Sequence, residues 1–133
     1  QKDDRENLVL FRGSNSFVLM NLYPYNNGHI MVCPYDHIDT TKFLSNESMT
    51  EIMILADKSM DIFRNLMNAQ GFNFGANIGV SGGAGIADHI HFHVVPRWLG
   101  DTNFMPVLGH TKVMVDELIN TYDKLKIEFD KIK

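Results

Sequence analysis

Hydrophobic and polar positions along the chain fall into stretches whose periods predict successive elements. Leu8 to Arg12 and Ser16 to Tyr23 are β-branched, aromatic or aliphatic and flank Gly-Ser-Asn, which predicts two strands joined by a tight turn. Asn26-Asn27-Gly28 separates the second strand from His29 to Cys33, and an Asn-Gly pair marks a hairpin because both residues tolerate positive φ. From Ser48 to Gln70, Ile52, Leu55, Ile62, Phe63 and Leu66 recur at helical spacing, with Ser48 as the expected cap before Glu51. Phe72 to Val80 returns to extended character and Ser81 to Gly85 is dense in glycine. His89 to Val95 then reads as a strand halted at Pro96. Thr111 to Lys133 places Leu118, Tyr122, Leu125, Phe129 and Ile132 on one helical face. Strands joined by hairpin signals, without regular βαβ alternation, predict an α+β domain with a mainly antiparallel sheet of about five strands and two helices.

The length of 133 residues fits one domain over positions 1–133. A net charge of -4 supplies no global basic field, so a nucleic-acid partner is not expected and any phosphate ligand must be caught locally. Cys33 is the single cysteine and has no partner for an internal disulfide, which favours a reducing, cytoplasmic setting. No apolar run reaches the roughly 20 residues that cross a bilayer, so no membrane partner is expected.

The chemistry concentrates in His89-Ile90-His91-Phe92-His93-Val94-Val95. Strand side chains alternate in direction, so His89, His91 and His93 share one face while Ile90, Phe92 and Val94 fill the core behind. His89 and His93 lie about 13 Å apart along an ideal strand, too far to share one zinc ion with bonds near 2 Å. A zinc site would take only two of them and would need His29, His37, His110 or a carboxylate. Nucleophilic attack on phosphorus by a neutral imidazole uses all three, with His91 at the centre. Just upstream, Asn77, Gly79, Ser81, Gly83 and Gly85 combine bare backbone with a hydroxyl, a loop suited to an anion beside the imidazole face. His37 and His110 stand outside the motif, where solvated side chains are expected.

His-apolar-His-apolar-His-apolar-apolar at His89 to Val95 resembles the signature of the histidine triad family. The block from Asn21 through Gly28-His29-Ile-Met-Val-Cys-Pro34 resembles that family's upstream segment. Pro96-Arg97-Trp98 and Gly100-Asp101-x-Asn103-Phe104 are similar to the branch containing bacterial diadenosine tetraphosphate phosphorylases and hydrolases. The resemblance implies a homodimer that cleaves dinucleoside polyphosphates at the α-phosphorus through a nucleotidyl-histidine intermediate, with water or phosphate as acceptor. It implies no resident cofactor, and any magnesium would arrive with the nucleotide. By position, His91 would be the nucleophile and His89 would orient it through its backbone carbonyl. His93 would contact phosphate and His29 would pair with His89. Asn21 would hold the ribose, Asn77 and the glycine loop the phosphate, and Trp98 would stack on a base or pack in the core or a dimer interface. Gly85 stands where many members carry glutamine or serine, so that contact passes to backbone N–H groups, Ser81 or His93. The third histidine argues against the uridylyltransferase branch. Rival readings are an adenosine phosphoramidate hydrolase, a non-catalytic nucleotide-binding or signalling module, and a zinc-dependent hydrolase.

Overall fold

Three consecutive antiparallel strands open the structure, a computed structural model that describes residues 3–22, 28–83, 89–100 and 111–132. The Asn26-Asn27 turn, Gly85, the Asp101 to Phe104 stretch and His110 lie outside the described residues. Strands β1 (Val9–Arg12), β2 (Ser16–Met20) and β3 (Ile30–Pro34) are followed by helix α1 (Asn46–Met67). Strands β4 (Gly71–Ala76) and β5 (Phe92–Arg97) and helix α2 (Thr111–Phe129) complete the order. The sheet runs β1-β2-β3-β5-β4 with antiparallel neighbours throughout, as the hairpin signals predict.

Alternation decides which sheet face is covered. Val18, Met20, Ile30, Val32 and Val94 are buried and join Ile52, Leu55, Ala56 and Phe63 of α1 and Leu118, Tyr122, Leu125 and Phe129 of α2 in one core. Both helices therefore sit on one face. Phe17, Leu19, Met31, His93 and Val95 alternate onto the opposite face and stay only partly covered. The β1 register shifts between Val9 and Phe11, and α2 is tied there: the Tyr122 hydroxyl donates to the Val9 carbonyl at 2.6 Å and Lys126 Nζ to the Leu10 carbonyl at 3.2 Å.

Several boundaries differ from the sequence expectation for local reasons. The cap of α1 is Ser45, whose hydroxyl accepts from the Ser48 N–H at 3.1 Å, and Ser48 is a buried first-turn residue. The buried stripe of α1 drifts past Leu66, which is 37% exposed, so Met67 packs on the core in its place. The helix stops at Asn68 in the left-handed region, φ 54°. Strand β4 ends at Ala76 because its partner Phe92 is the first residue of β5, and Val80–Gly82 form a 3-10 turn. Pro96 does not halt β5. The Arg97 carbonyl accepts from the Gln70 N–H on the β4 side, so Pro96 directs its backbone toward the β3 side, where the ladder has ended at Ile30 opposite Val94. Among the described residues no helix is long and apolar enough to cross a membrane.

Glu51 of α1 locks the β1-β2 turn, accepting from the Ser16 hydroxyl at 2.6 Å, the Asn15 N–H at 2.9 Å and the Ser14 N–H at 3.2 Å. Burial pushes its pKa upward, but the bonds from Ser16, Asn15 and Ser14 outweigh burial and hold it below the usual value. A depressed carboxylate stabilises the fold above its unfolded pKa, and that contribution fades as the pH falls through the folded value. Glu51→Gln is expected to cost about 1–2 kcal/mol at neutral pH. Urea denaturation should show the gap to the wild type closing in acid; a gap independent of pH would refute the charge-based account.

Candidate active site

The His89 to His93 segment is only partly strand. Its ladder begins at Phe92, the last position opposite both Val32 of β3 and Ala76 of β4, so His89 and His91 lie ahead of the sheet. Their backbone groups are used otherwise. The Ile90 N–H donates to the Ile38 carbonyl at 2.7 Å, and the His89 carbonyl accepts from His91 Nδ1 at 3.0 Å. His89 itself is held by Nε2 donating to the Pro34 carbonyl at 2.9 Å. The three rings are thus set by a turn and a strand start, not by alternation along one strand.

His29 departs from its expected partner. Its Nε2 lies 2.8 Å from His93 Nδ1, and the Asn21 amide Nδ2 sits 3.2 Å from His29 Nδ1. The amide donates, so His29 Nδ1 accepts and its proton is on Nε2. That proton is given to His93 Nδ1, which leaves His93 protonated on Nε2. For His91, the Nδ1–H bond to a carbonyl leaves Nε2 with its lone pair and no partner among the described residues. The His91 and His93 rings meet edge-on with centroids 5.0 Å apart. Asn21, matched by resemblance to a ribose contact, is therefore also the group that orders this histidine relay.

Gly28 explains how His29 reaches the cluster. It has φ +89°, and a Cβ there would come within 2.9 Å of the Phe63 ring of α1, so both conformation and packing require glycine. His37 is exposed, as expected of a solvated side chain, and its ring lies 4.6 Å from that of His89. The only sequence signal for this contact was its place three residues beyond Pro34. Asn77, Gly79, Ser81 and Gly83 lie exposed just after β4, with Gly79 and Gly83 at φ +73° and +87°. Trp98 follows β5 on the helix-covered side, and its indole N–H donates to the Met67 carbonyl at the end of α1 at 2.9 Å.

A concavity of about 780 Å³ lies elsewhere, between the β1-β2 turn and α1. Two of its charged groups are already engaged, Glu51 with the turn and Arg12 with Asp4 at 2.8 Å. The histidine cluster lies apart from it, with His93 on the open sheet face. Among the described residues no group of three or more His, Cys, Asp or Glu side chains is arranged to hold a metal ion.

Comparison with known proteins agrees with this geometry. Residues 2–98 match the HIT domain. The chain belongs to the histidine triad family. The histidine triad chain is 40% identical over 129 residues to a Mycobacterium tuberculosis protein named AP-4-A phosphorylase, covering 97% of this chain and 66% of that one. It is 30% identical over 93 residues to a Dictyostelium discoideum bis(5'-adenosyl)-triphosphatase, covering 70% of this chain and 62% of that protein. It thus spans about two thirds of these relatives. In fold it is similar to a zinc-bound histidine triad protein from Mycobacterium smegmatis, with TM-score 0.75, 20% identity and coverage of 94% and 85% of the two chains. It also resembles a Plasmodium falciparum diadenosine triphosphate hydrolase, with TM-score 0.72, 22% identity and coverage of 93% and 80%.

The relay has a measurable proton linkage. Burial first, then the nearby His93 and His91 rings, push His29 down to about 4, and burial followed by His91 lowers His93 as well. Unfolded His29 takes up its proton near pH 6.5, so stability falls as the pH drops from about 6.5 to about 4 and is flat above, by about 3 kcal/mol in total. His29→Asn should flatten this slope in urea denaturation across that range. Parallel pH profiles for wild type and variant would show that His29 is not buried neutral.

Proposed function

We propose that this chain cleaves dinucleoside polyphosphates of the diadenosine tetraphosphate kind at the α-phosphorus, with His91 as nucleophile. The observation that carries the reading is the His91 Nδ1–H bond to the His89 carbonyl, which uses Nδ1 as donor and leaves the Nε2 lone pair for an electrophile. The Nε2 lone pair forms an N–P bond to the α-phosphorus as the bond from phosphorus to the bridging oxygen breaks. ATP then departs as an anion that needs no proton. His93 Nε2–H donates a hydrogen bond to a phosphate oxygen, and the exposed backbone around Asn77, Gly79, Ser81 and Gly83, just upstream of the triad, is suited to hold the α-phosphate that stays with the nucleoside. In the second step an acceptor oxygen attacks the same phosphorus and the N–P bond breaks. Inorganic phosphate as acceptor yields ADP, and water yields AMP. Similarity to the M. tuberculosis protein across 97% of this chain favours phosphate.

A homodimer belongs to the same reading. Strand β4 is the sheet edge, its outer row has no ladder partner among the described residues, and Phe74 on it is 37% exposed. Sedimentation at micromolar concentration should give twice the monomer mass. A cytoplasmic setting is favoured by buried Cys33, the single cysteine, and cell fractionation tests it.

The deciding experiment is product analysis on diadenosine tetraphosphate with and without inorganic phosphate. ADP plus ATP formed only with phosphate is the expected result, and AMP plus ATP without it would make the protein a hydrolase. His91→Ala should lower the rate by roughly 10³-fold or more with the fold intact. Unchanged turnover in that variant would sink the nucleophile assignment.

A further inference from the structure

Resting on that reading, we propose that Gly75 is a specificity-determining position whose missing side chain leaves the sheet face beside His93 open for the departing polyphosphate, with Arg97 at the far end of the path. A glycine inside a strand weakens it, and needs a reason in its own conformation, in a close neighbour of the same chain, or in something that approaches from outside. Among the glycines around the site, Gly28 is crowded by Phe63 and Gly79 and Gly83 hold positive φ, whereas Gly71, opposite Arg97 on the same face, is as open as Gly75. Gly75 has neither. It is not among the positive-φ residues, and a Cβ there would meet no atom of the described residues within 4 Å.

Its location supplies the remaining reason. Gly75 is the cross-strand partner of His93, so the two positions share a face with Cβ sites about 5 Å apart. Two residues further on, Val95 stands opposite Asn73, and after two more Arg97 donates Nη1–H to Asn73 Oδ1 at 2.7 Å. His93, Val95 and Arg97 alternate onto the same side, so a lane of about 13 Å runs along β5 from the relay histidine to a guanidinium. Gly75 and Val95 floor it. The lane leads away from His91. In-line displacement at phosphorus places the leaving chain on the side opposite the nucleophile. A polyanion laid along this lane meets the His93 Nε2–H at its near end and the Arg97 charge at its far end.

The test separates this inference from the reading it rests on. In a His91→Ala background, which removes turnover, calorimetric titration with AMP and with diadenosine tetraphosphate measures the nucleoside end and the whole substrate. Binding of both ligands is expected for the background protein; binding of neither would overturn the functional reading and this inference together. Adding Gly75→Val should leave AMP affinity within about twofold and weaken diadenosine tetraphosphate by at least about tenfold. Valine suits a strand, so the loss would not report unfolding. Adding Arg97→Met should weaken only the longer ligand. Equal effects on both ligands, or none on either, would overturn the lane while leaving the functional reading in place. A Gly75→Val protein that changes its sedimentation mass would assign the open space to a second copy of the chain, and would also overturn it.

Discussion

The hydrogen bond from His91 Nδ1–H to the His89 carbonyl is the constraint on which the site depends. No ladder claims the His89 carbonyl, because β5 starts at Phe92. The short strand is therefore a condition of that hydrogen bond. Had the ladder extended through His89, that oxygen would have paired with a neighbouring strand, and the tautomer of His91 would have been left to solvent.

The rest of the fold serves to hold that turn in place. The Pro34 to Ile38 segment grips it through the His89 Nε2 bond to Pro34, the Ile90 N–H bond to Ile38 and the His37 ring beside His89. On the other flank, Phe63 of α1 lies under Gly28 and so places His29 against His93. With both helices on one sheet face, the opposite face is left for a ligand. Burial is also the first cause of the lowered pKa values of His29 and His93.

Much of this was legible in the residues. The Asn-Gly hairpin, the 3.6-residue stripes and the alternation of Ile90, Phe92 and Val94 with the histidines are local patterns. Local patterns suffice for the element types, the sheet's antiparallel character and the face on which His93 lies. What local pattern could not settle is where a ladder stops, because that depends on where the neighbouring strands diverge. The strand expected from His89 and the halt expected at Pro96 both failed for this reason. Pro96 is tolerated only because β3 has ended on its side.

Partner choice among the histidines was likewise beyond the sequence. His29 is far in sequence from both His89 and His93, and the pairing of Met31 with His93 in the β3-β5 register brings it to His93. The sequence alone determined the family, the element types and the identity of the chemical groups, since these follow from residue type and short-range period. The tertiary structure decided which carbonyl orients His91, which ring His29 touches, and that His37 joins the cluster. Those contacts are set by strand register and loop closure over dozens of residues, and no short-range pattern encodes them.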